Sequence, residues 1–335
     1  MPIAGLGPRG ESAASPLLLR ISDADAKHIA DRRFRIAVVL HTTGSDWARQ
    51  VLAGIATALG QHQAAIVDVI DCGFSAGEQV RTFKNLAESN VDAVVSIPIG
   101  NQDVAEAHRR IQQAGKKLIL LDNAPTGLSP GVDYVSVVSA DNFGLGEIAA
   151  QLLSSHIPAD QPVGLLAFGV DFYATREREI AFSKWMAKNR SQQAIVQEKF
   201  ASLSEVGAAI EGMLAKCPHL SGLFVVWDEP AIIAVEVLRN AGFDIAVTTV
   251  DLGNAAAINL ATGNHIKGIA AQKPYDQGMT AATVALLALL GREIPSWVAL
   301  PGIAVTAENV IQAYQSIWHA PAPSILLKDL QNSIV

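Results

Sequence analysis

Short apolar runs recur along this chain, each ending in polar residues and giving way to a stretch with helical periodicity. Residues 34–41 lead to Ser45-Asp46-Trp47, 117–121 to Asp122-Asn123, 222–226 to Trp227-Asp228 and 245–250 to Asp251. Runs of about four to eight residues rich in Val, Ile and Leu, alternating with amphipathic helices, specify parallel sheets buried on both faces. Strands are predicted at 34–41, 64–71, 92–97 and 117–121, with helices over 46–61, 77–89 and 102–114 between them. The helix over 46–61 sets Val51, Leu52, Ile55, Ala58 and Leu59 on one face, as a sheet-covering helix requires. A second series begins after the loop 124–133. Its strands are expected at 134–138, 163–167, 194–200, 222–226 and 245–250, and its helices over 141–156, 174–189, 203–216, 229–241 and 252–262.

The remaining strand at 268–271, helix over 274–290 and short strands around 298–306 are too few for a third domain. They are expected to return and complete both halves. The reading is therefore α/β, two similar doubly wound parallel-sheet lobes joined by a hinge. Residues 1–33 form an extension, 34–133 with 273–302 the N-terminal lobe, 134–272 with 303–320 the C-terminal lobe, and 321–335 a tail. Within the extension, Ser22 followed by Asp25 resembles a helix-capping box with Asp in place of Glu or Gln. In open α/β sheets ligands bind at the carboxyl ends of strands. The polar strand ends are accordingly where a site is sought.

Composition narrows the chemistry. A chain of 335 residues, half of them hydrophobic and 17% charged, suits a well-buried protein of two lobes. A net charge of −7 gives no footprint for nucleic acid, and no Lys or Arg cluster supplies one. Cys72 and Cys217 fall in different predicted lobes and read as free thiols. Leu17-Leu18-Leu19 is too short for the apolar region of a signal peptide, and no run is long and apolar enough to span a bilayer. Gly144-Leu145-Gly146-Glu147-Ile148-Ala149 fits a dinucleotide-binding spacing, but it follows Asp141-Asn142 rather than a strand end and lacks the later acidic partner. Asp141 as a helix cap and the glycines as close-packing positions account for it better. The eight histidines show no metal spacing and there is no nucleophile elbow, so neither catalytic machinery nor a metal or cofactor is expected.

Several patterns in order resemble the type I periplasmic sugar-binding proteins of the ribose and galactose class, whose fold the lactose-repressor family shares. They are Ser45-Asp46-Trp47-Ala48 before a helix with Ala53-Gly54, Val91 to Pro98, Asp122-Asn123, Ser139 to Asn142 with Gly146, and Ala174 to Arg178 with Phe182. Asp228-Glu229, Asp251, Gln272-Lys273-Pro274 with Gly278, and Val305 to Val310 complete the set, which covers 34–310. The chain departs from the family pattern where Asn123 replaces an Arg, Trp227 an Asn, Ala48 a second aromatic, and Gly100 a frequent Asp.

The resemblance implies a solute-binding protein that captures a sugar or polyol in an interlobe cleft and delivers it to an ABC importer permease. It also implies a periplasmic monomer. The alternative is a cytoplasmic ligand sensor of the repressor-like class without a DNA-binding domain. Candidate ligand residues are Ser45, Asp46, Trp47, Asp122, Asn123, Tyr173, Arg176, Trp227, Asp251 and Gln272. Carboxylates and amides at strand ends suit hydroxyls that both donate and accept, and an indole suits the C–H face of a sugar. Plainer readings stand beside these. Asp122 and Asp251 can cap turns, Trp47 and Trp227 can pack, Arg176 can pair with Glu177 or Glu179 on the surface, and Gln272 can serve a crossing between lobes.

Overall fold

The computed structural model describes residues 2–326. It divides into two compact units. The N-terminal unit comprises Leu6–Ala140 and Lys273–Leu300; the C-terminal unit comprises Asp141–Gln272, the segment up to Gly5 and the segment from Pro301 onward. The chain passes from one unit to the other after Gly5, Ala140, Gln272 and Leu300.

The N-terminal unit contains α1 (Asp23–Arg32), β1 (Arg35–Leu40), α2 (Asp46–Gln61), β2 (Ala65–Asp71), α3 (Ala76–Glu88), β3 (Ala93–Ser96), α4 (Gln102–Gln113), β4 (Lys117–Leu121) and β5 (Ser136–Ala140). The C-terminal unit contains α5 (Asn142–Ser154), β6 (Val163–Phe168), α6 (Tyr173–Asn189), β7 (Ile195–Phe200), α7 (Val206–Lys216), β8 (Gly222–Val225), α8 (Asp228–Asn240), β9 (Ala246–Val250), α9 (Asn254–Ala261) and β10 (Ile266–Ala271). The chain then returns to the first unit with α10 (Pro274–Leu289) and β11 (Trp297–Leu300), and to the second with β12 (Ile303–Val305) and α11 (Val310–Trp318).

The sheets share one order, β11-β5-β4-β3-β1-β2 in the N-terminal unit and β12-β10-β9-β8-β6-β7 in the other. Strand for strand, β1 corresponds to β6, β2 to β7, β3 to β8, β4 to β9 and β5 to β10. All neighbours are parallel except β12, which runs antiparallel to β10. The central strands are aliphatic because helices cover both faces. Ile36 to Leu40 of β1 have no exposed surface, and each such side chain contributes roughly 1.5–3 kcal/mol on burial.

Glycines set the closest helix contacts. A Cβ on Gly54 of α2 would lie 2.0 Å from the Tyr275 carbonyl oxygen of α10, and one on Gly278 would lie 2.1 Å from that of Val51. In the C-terminal unit a Cβ on Gly146 would come within 2.3 Å of the Arg178 carbonyl oxygen, and Asp141 caps α5 through the Gly144 amide at 2.9 Å. The Gly144 to Ala149 spacing therefore serves capping and helix packing in this fold.

The structure corrects three sequence expectations about the division. The strand expected at 134–138 to open the second lobe is β5, which joins the first sheet between β4 and β11, so the division falls after Ala140 rather than 133. The segment between β4 and β5 carries no helix, and its loop character imitates a domain boundary. The return to the C-terminal unit falls after Leu300 rather than 302.

Residues 1–33, finally, are not a separate appendage. Ala14 bridges to Val298 beside the sheet edge, and α1 is held by its Ser22–Asp25 capping box and by Arg292, whose Nη2 donates to Asp25 at 2.6 Å. Those bonds hold the Asp25 carboxyl at about 2, below its ordinary value. Of the expected tail, 327–335 lie outside the described residues. Cys72 and Cys217 are both free, one in each unit. No helix among the described residues is long and apolar enough to cross a membrane.

Candidate functional site

Corresponding strands carry corresponding carboxylates. Asp122 follows β4 and Asp251 follows β9, and both adopt the left-handed backbone, with φ of 52° and 74°. Asp tolerates this conformation better than most residues, yet outside glycine it is uncommon and costs about 1–2 kcal/mol. In each case the kink ends the strand and leaves the carboxylate at the carboxyl edge of the sheet.

In the N-terminal unit, Asp122 is 3% exposed and its Oδ1 accepts the Ala140 amide at 3.3 Å. Asn123 donates from Nδ2 to the carbonyls of Pro98 and Gly100, at 3.1 and 3.2 Å, so this amide ties the β4 exit to the β3 exit. Ser45 uses its hydroxyl to cap α2, accepting the Ala48 amide at 3.1 Å. Asp46, in the first turn of α2, pairs with Arg49.

Trp47 is half-buried, and its Nε1 is shielded from solvent without a hydrogen-bond partner among the described residues. Its ring meets His41 edge-on at 5.7 Å, and His41 meets Phe74 edge-on at 4.8 Å. Burial lowers the His41 pKa to about 4, against the raising effect of Asp71, so the imidazole is neutral at ordinary pH. Its Nδ1 also lacks a partner.

In the C-terminal unit the candidates bond mainly to one another. Gln272 is 2% exposed and donates from Nε2 to Asp251 Oδ1 at 2.6 Å, while its Oε1 has no partner. Burial raises the Asp251 pKa, opposed by the charge of Arg178 and the bond from Gln272. Arg178 is itself 4% exposed and donates to Asn142 Oδ1 and to the Val226 carbonyl, both at 2.9 Å.

Arg176, the arginine favoured from the sequence, instead lies on the exposed side of α6 and pairs with Asp171 at 3.3 Å. Residues two apart on a helix do not share a face. Arg178 falls instead on the buried stripe with Ala174, Ala181 and Phe182, where a charge demands partners. Tyr173 opens α6 at the strand-end edge. Trp227 packs with Phe168 and Phe200, ring centroids 5.0 and 5.1 Å away, so its apolar body closes the ends of β6 and β7.

Four side chains that sequence reasoning did not select, Arg178, Asn142, His41 and Phe74, therefore stand among the candidates. Among the described residues no group of three or more His, Cys, Asp or Glu side chains could hold a metal ion.

A model of the periplasmic binding protein domain matches residues 36–293. The chain belongs to this family. It is 22% identical over 271 residues to the ribose import binding protein of Bacillus subtilis, spanning 81% of this chain and 86% of that protein. It is 23% identical over 230 residues to a D-ribose/D-allose-binding protein of Pseudomonas aeruginosa, spanning 67% and 72%. The same fold occurs in an ABC transporter solute-binding protein from Agrobacterium vitis bound to α-D-tagatopyranose, with a TM-score of 0.78 and 21% identity over 87% of this chain and 99% of that one. It occurs too in one from Mycobacterium smegmatis with bound glycerol, with a TM-score of 0.75 and 19% identity over 83% and 95%. The family is one of solute-binding proteins rather than enzymes.

Proposed function

We propose that this protein is a solute-binding protein that captures a neutral sugar or polyol and delivers it to the membrane permease of an ABC importer from the periplasm, acting as a monomer and without catalysis. One observation carries the reading: two carboxylates, Asp122 and Asp251, stand at equivalent strand ends in matching left-handed kinks. Hydrogen bonds from hydroxyls to charged acceptors contribute about 1.5–3 kcal/mol each. Micromolar capture needs about 8 kcal/mol net, within reach of a few such bonds plus aromatic contact.

A neutral ligand is favoured over a sugar acid because the buried cation Arg178 is already engaged by Asn142, the Val226 carbonyl and the charge of Asp251. Relatives named for ribose import and for D-ribose and D-allose binding favour import over a sensor role.

Calorimetric titration with D-ribose, D-allose, D-tagatose, D-fucose, allitol and glycerol tests this. At least one is expected to bind, and Asp122→Asn or Asp251→Asn to weaken it by at least about 1.5 kcal/mol without unfolding the protein. Wild-type protein that binds none of them, or variants that bind normally, would overturn the assignment.

A further inference from the structure

The loop after β2 holds an aromatic residue in a conformation that aromatics avoid. Gly73 and Phe74 are both left-handed, with φ of 53° and 56°, and Phe74 is 48% exposed. For a bulky side chain a positive φ is a true outlier, and such strain persists only where the surroundings enforce it.

Asp71 supplies much of that enforcement. Its Oδ2 accepts the Thr43 amide and hydroxyl at 2.8 and 2.7 Å, and its Oδ1 accepts the Gly73 amide at 2.8 Å. The Phe74 amide donates to the His41 carbonyl at 2.7 Å, and Ser75 then caps α3 through the Glu78 amide. The carboxylate thus latches the loop after β1 to the loop after β2.

The strained ring gains little from burial, since nearly half of it remains exposed. What the latch achieves is placement: the Phe74 ring stands against His41, which in turn meets Trp47, making a row of three rings at the carboxyl ends of β1 and β2. In this sheet order the row lies on the far side of β3 from Asp122, so the carboxyl edge of the unit is polar at β4 and aromatic at β1 and β2.

We propose that Phe74 is a specificity-determining residue, held by the Asp71 latch to cover the C–H face of a cyclic sugar and so to favour ring sugars over open-chain polyols. The inference rests on the sugar-binding reading above. A ring face offers a flat apolar patch to an aromatic edge or plane, whereas a flexible polyol presents hydroxyls in every direction and must be ordered on binding.

The test is calorimetric titration of wild type, Phe74→Gly, Phe74→Asn and Phe74→Tyr with D-ribose, D-allose, D-tagatose, D-fucose, allitol and glycerol, each variant also melted without ligand. Gly and Asn accept the left-handed backbone, so these variants are expected to melt no lower than wild type. They should lose about tenfold in affinity for the tightest ring sugar, the scale of one aromatic contact, while polyol affinity changes by less than about twofold. Phe74→Tyr should retain the ring-sugar affinity. Unchanged ring-sugar affinity in the Gly and Asn variants would overturn the proposal, as would lowered melting with equal loss for every ligand, which marks a packing role. Wild type that binds only polyols refutes this inference alone, and wild type that binds nothing in the panel refutes the sugar-binding reading with it.

Discussion

The two units share a strand order and differ in how their strand ends are chemically finished. In the C-terminal unit Arg178 bonds Asn142, Gln272 bonds Asp251, and the charge of Arg178 acts on Asp251, while Trp227, Phe168 and Phe200 pack on one another. In the N-terminal unit His41 Nδ1 and Trp47 Nε1 have no partner among the described residues, and an aromatic residue stands exposed under strain. One topology thus supplies an edge whose buried charges engage one another and an edge where two shielded ring nitrogens lack a partner among the described residues. Common sheet order determines where side chains emerge and says little about what they do there.

The largest expected effect breaks the network side of this contrast. Arg178→Ala removes the donors to Asn142 Oδ1 and to the Val226 carbonyl and leaves Asp251 without its neighbouring cation, and should destabilise the protein by about 3–5 kcal/mol. Arg176→Ala, two residues away on the exposed side of α6, should stay within about 0.5 kcal/mol of wild type. Chemical denaturation of both variants checks this, and equal stability would show that the polar network does not hold the C-terminal unit together.

The second prediction sharpens the contrast by acidity. His41 and His108 are buried neutral in the N-terminal unit, burial lowering each to about 4. Unfolded histidine takes up its proton near pH 6.5, so the stability these two residues confer is full above about that pH, falls as pH drops toward 4, and is lost below it, on the order of 3 kcal/mol each. In the C-terminal unit burial lowers His156 too, but it raises Glu177, Glu179 and Asp251, which act in the opposite direction. Those carboxyls bind protons more readily when folded, so they favour the folded unit as pH falls through their raised values. Acidification from pH 6.5 to 4 should therefore weaken the N-terminal unit first, as read by hydrogen exchange in β1 and β3 against β6 and β8. Parallel loss in both units would refute the opposed signs.

The smallest effect concerns aromatic contact. Trp47→Ala should weaken ligand binding by roughly 1–3 kcal/mol with little change in melting, whereas Trp227→Ala, which leaves Phe168 and Phe200 without their neighbour, should lower melting more than affinity. Titration and thermal melting of both variants separate the two roles.

Much of this was legible in the sequence, and the failures have identifiable causes. Aliphatic runs ending in Asp, Asn or Trp placed Asp122, Asn123, Trp227 and Asp251 at strand exits, because fully buried strands must change polarity where the covering helices end. The strand β5 was assigned to the wrong unit because its connection from β4 lacks the helix that normally marks a parallel crossover. Helical spacing alone separates Arg178, among buried residues, from the exposed Arg176. His41 and Phe74 carry no such signal: their meeting depends on two loops joined by the Asp71 carboxylate and by the Phe74 amide to the His41 carbonyl, and the left-handed turn at Phe74 contradicts the preference of the residue itself.

The interrupted course of the chain also orders events at the ribosome. The N-terminal unit lacks its edge strand β11 and its core helix α10 until residue 300 has been synthesised, after every strand of the C-terminal unit except β12. Since β12 follows directly, the two sheets receive their last strands within a few residues of each other, and α11 completes the C-terminal unit afterwards. A chain released short of β11 and β12 carries two unfinished sheets with bare edges, so neither half is protected against misassembly until the last crossings between the units have been made.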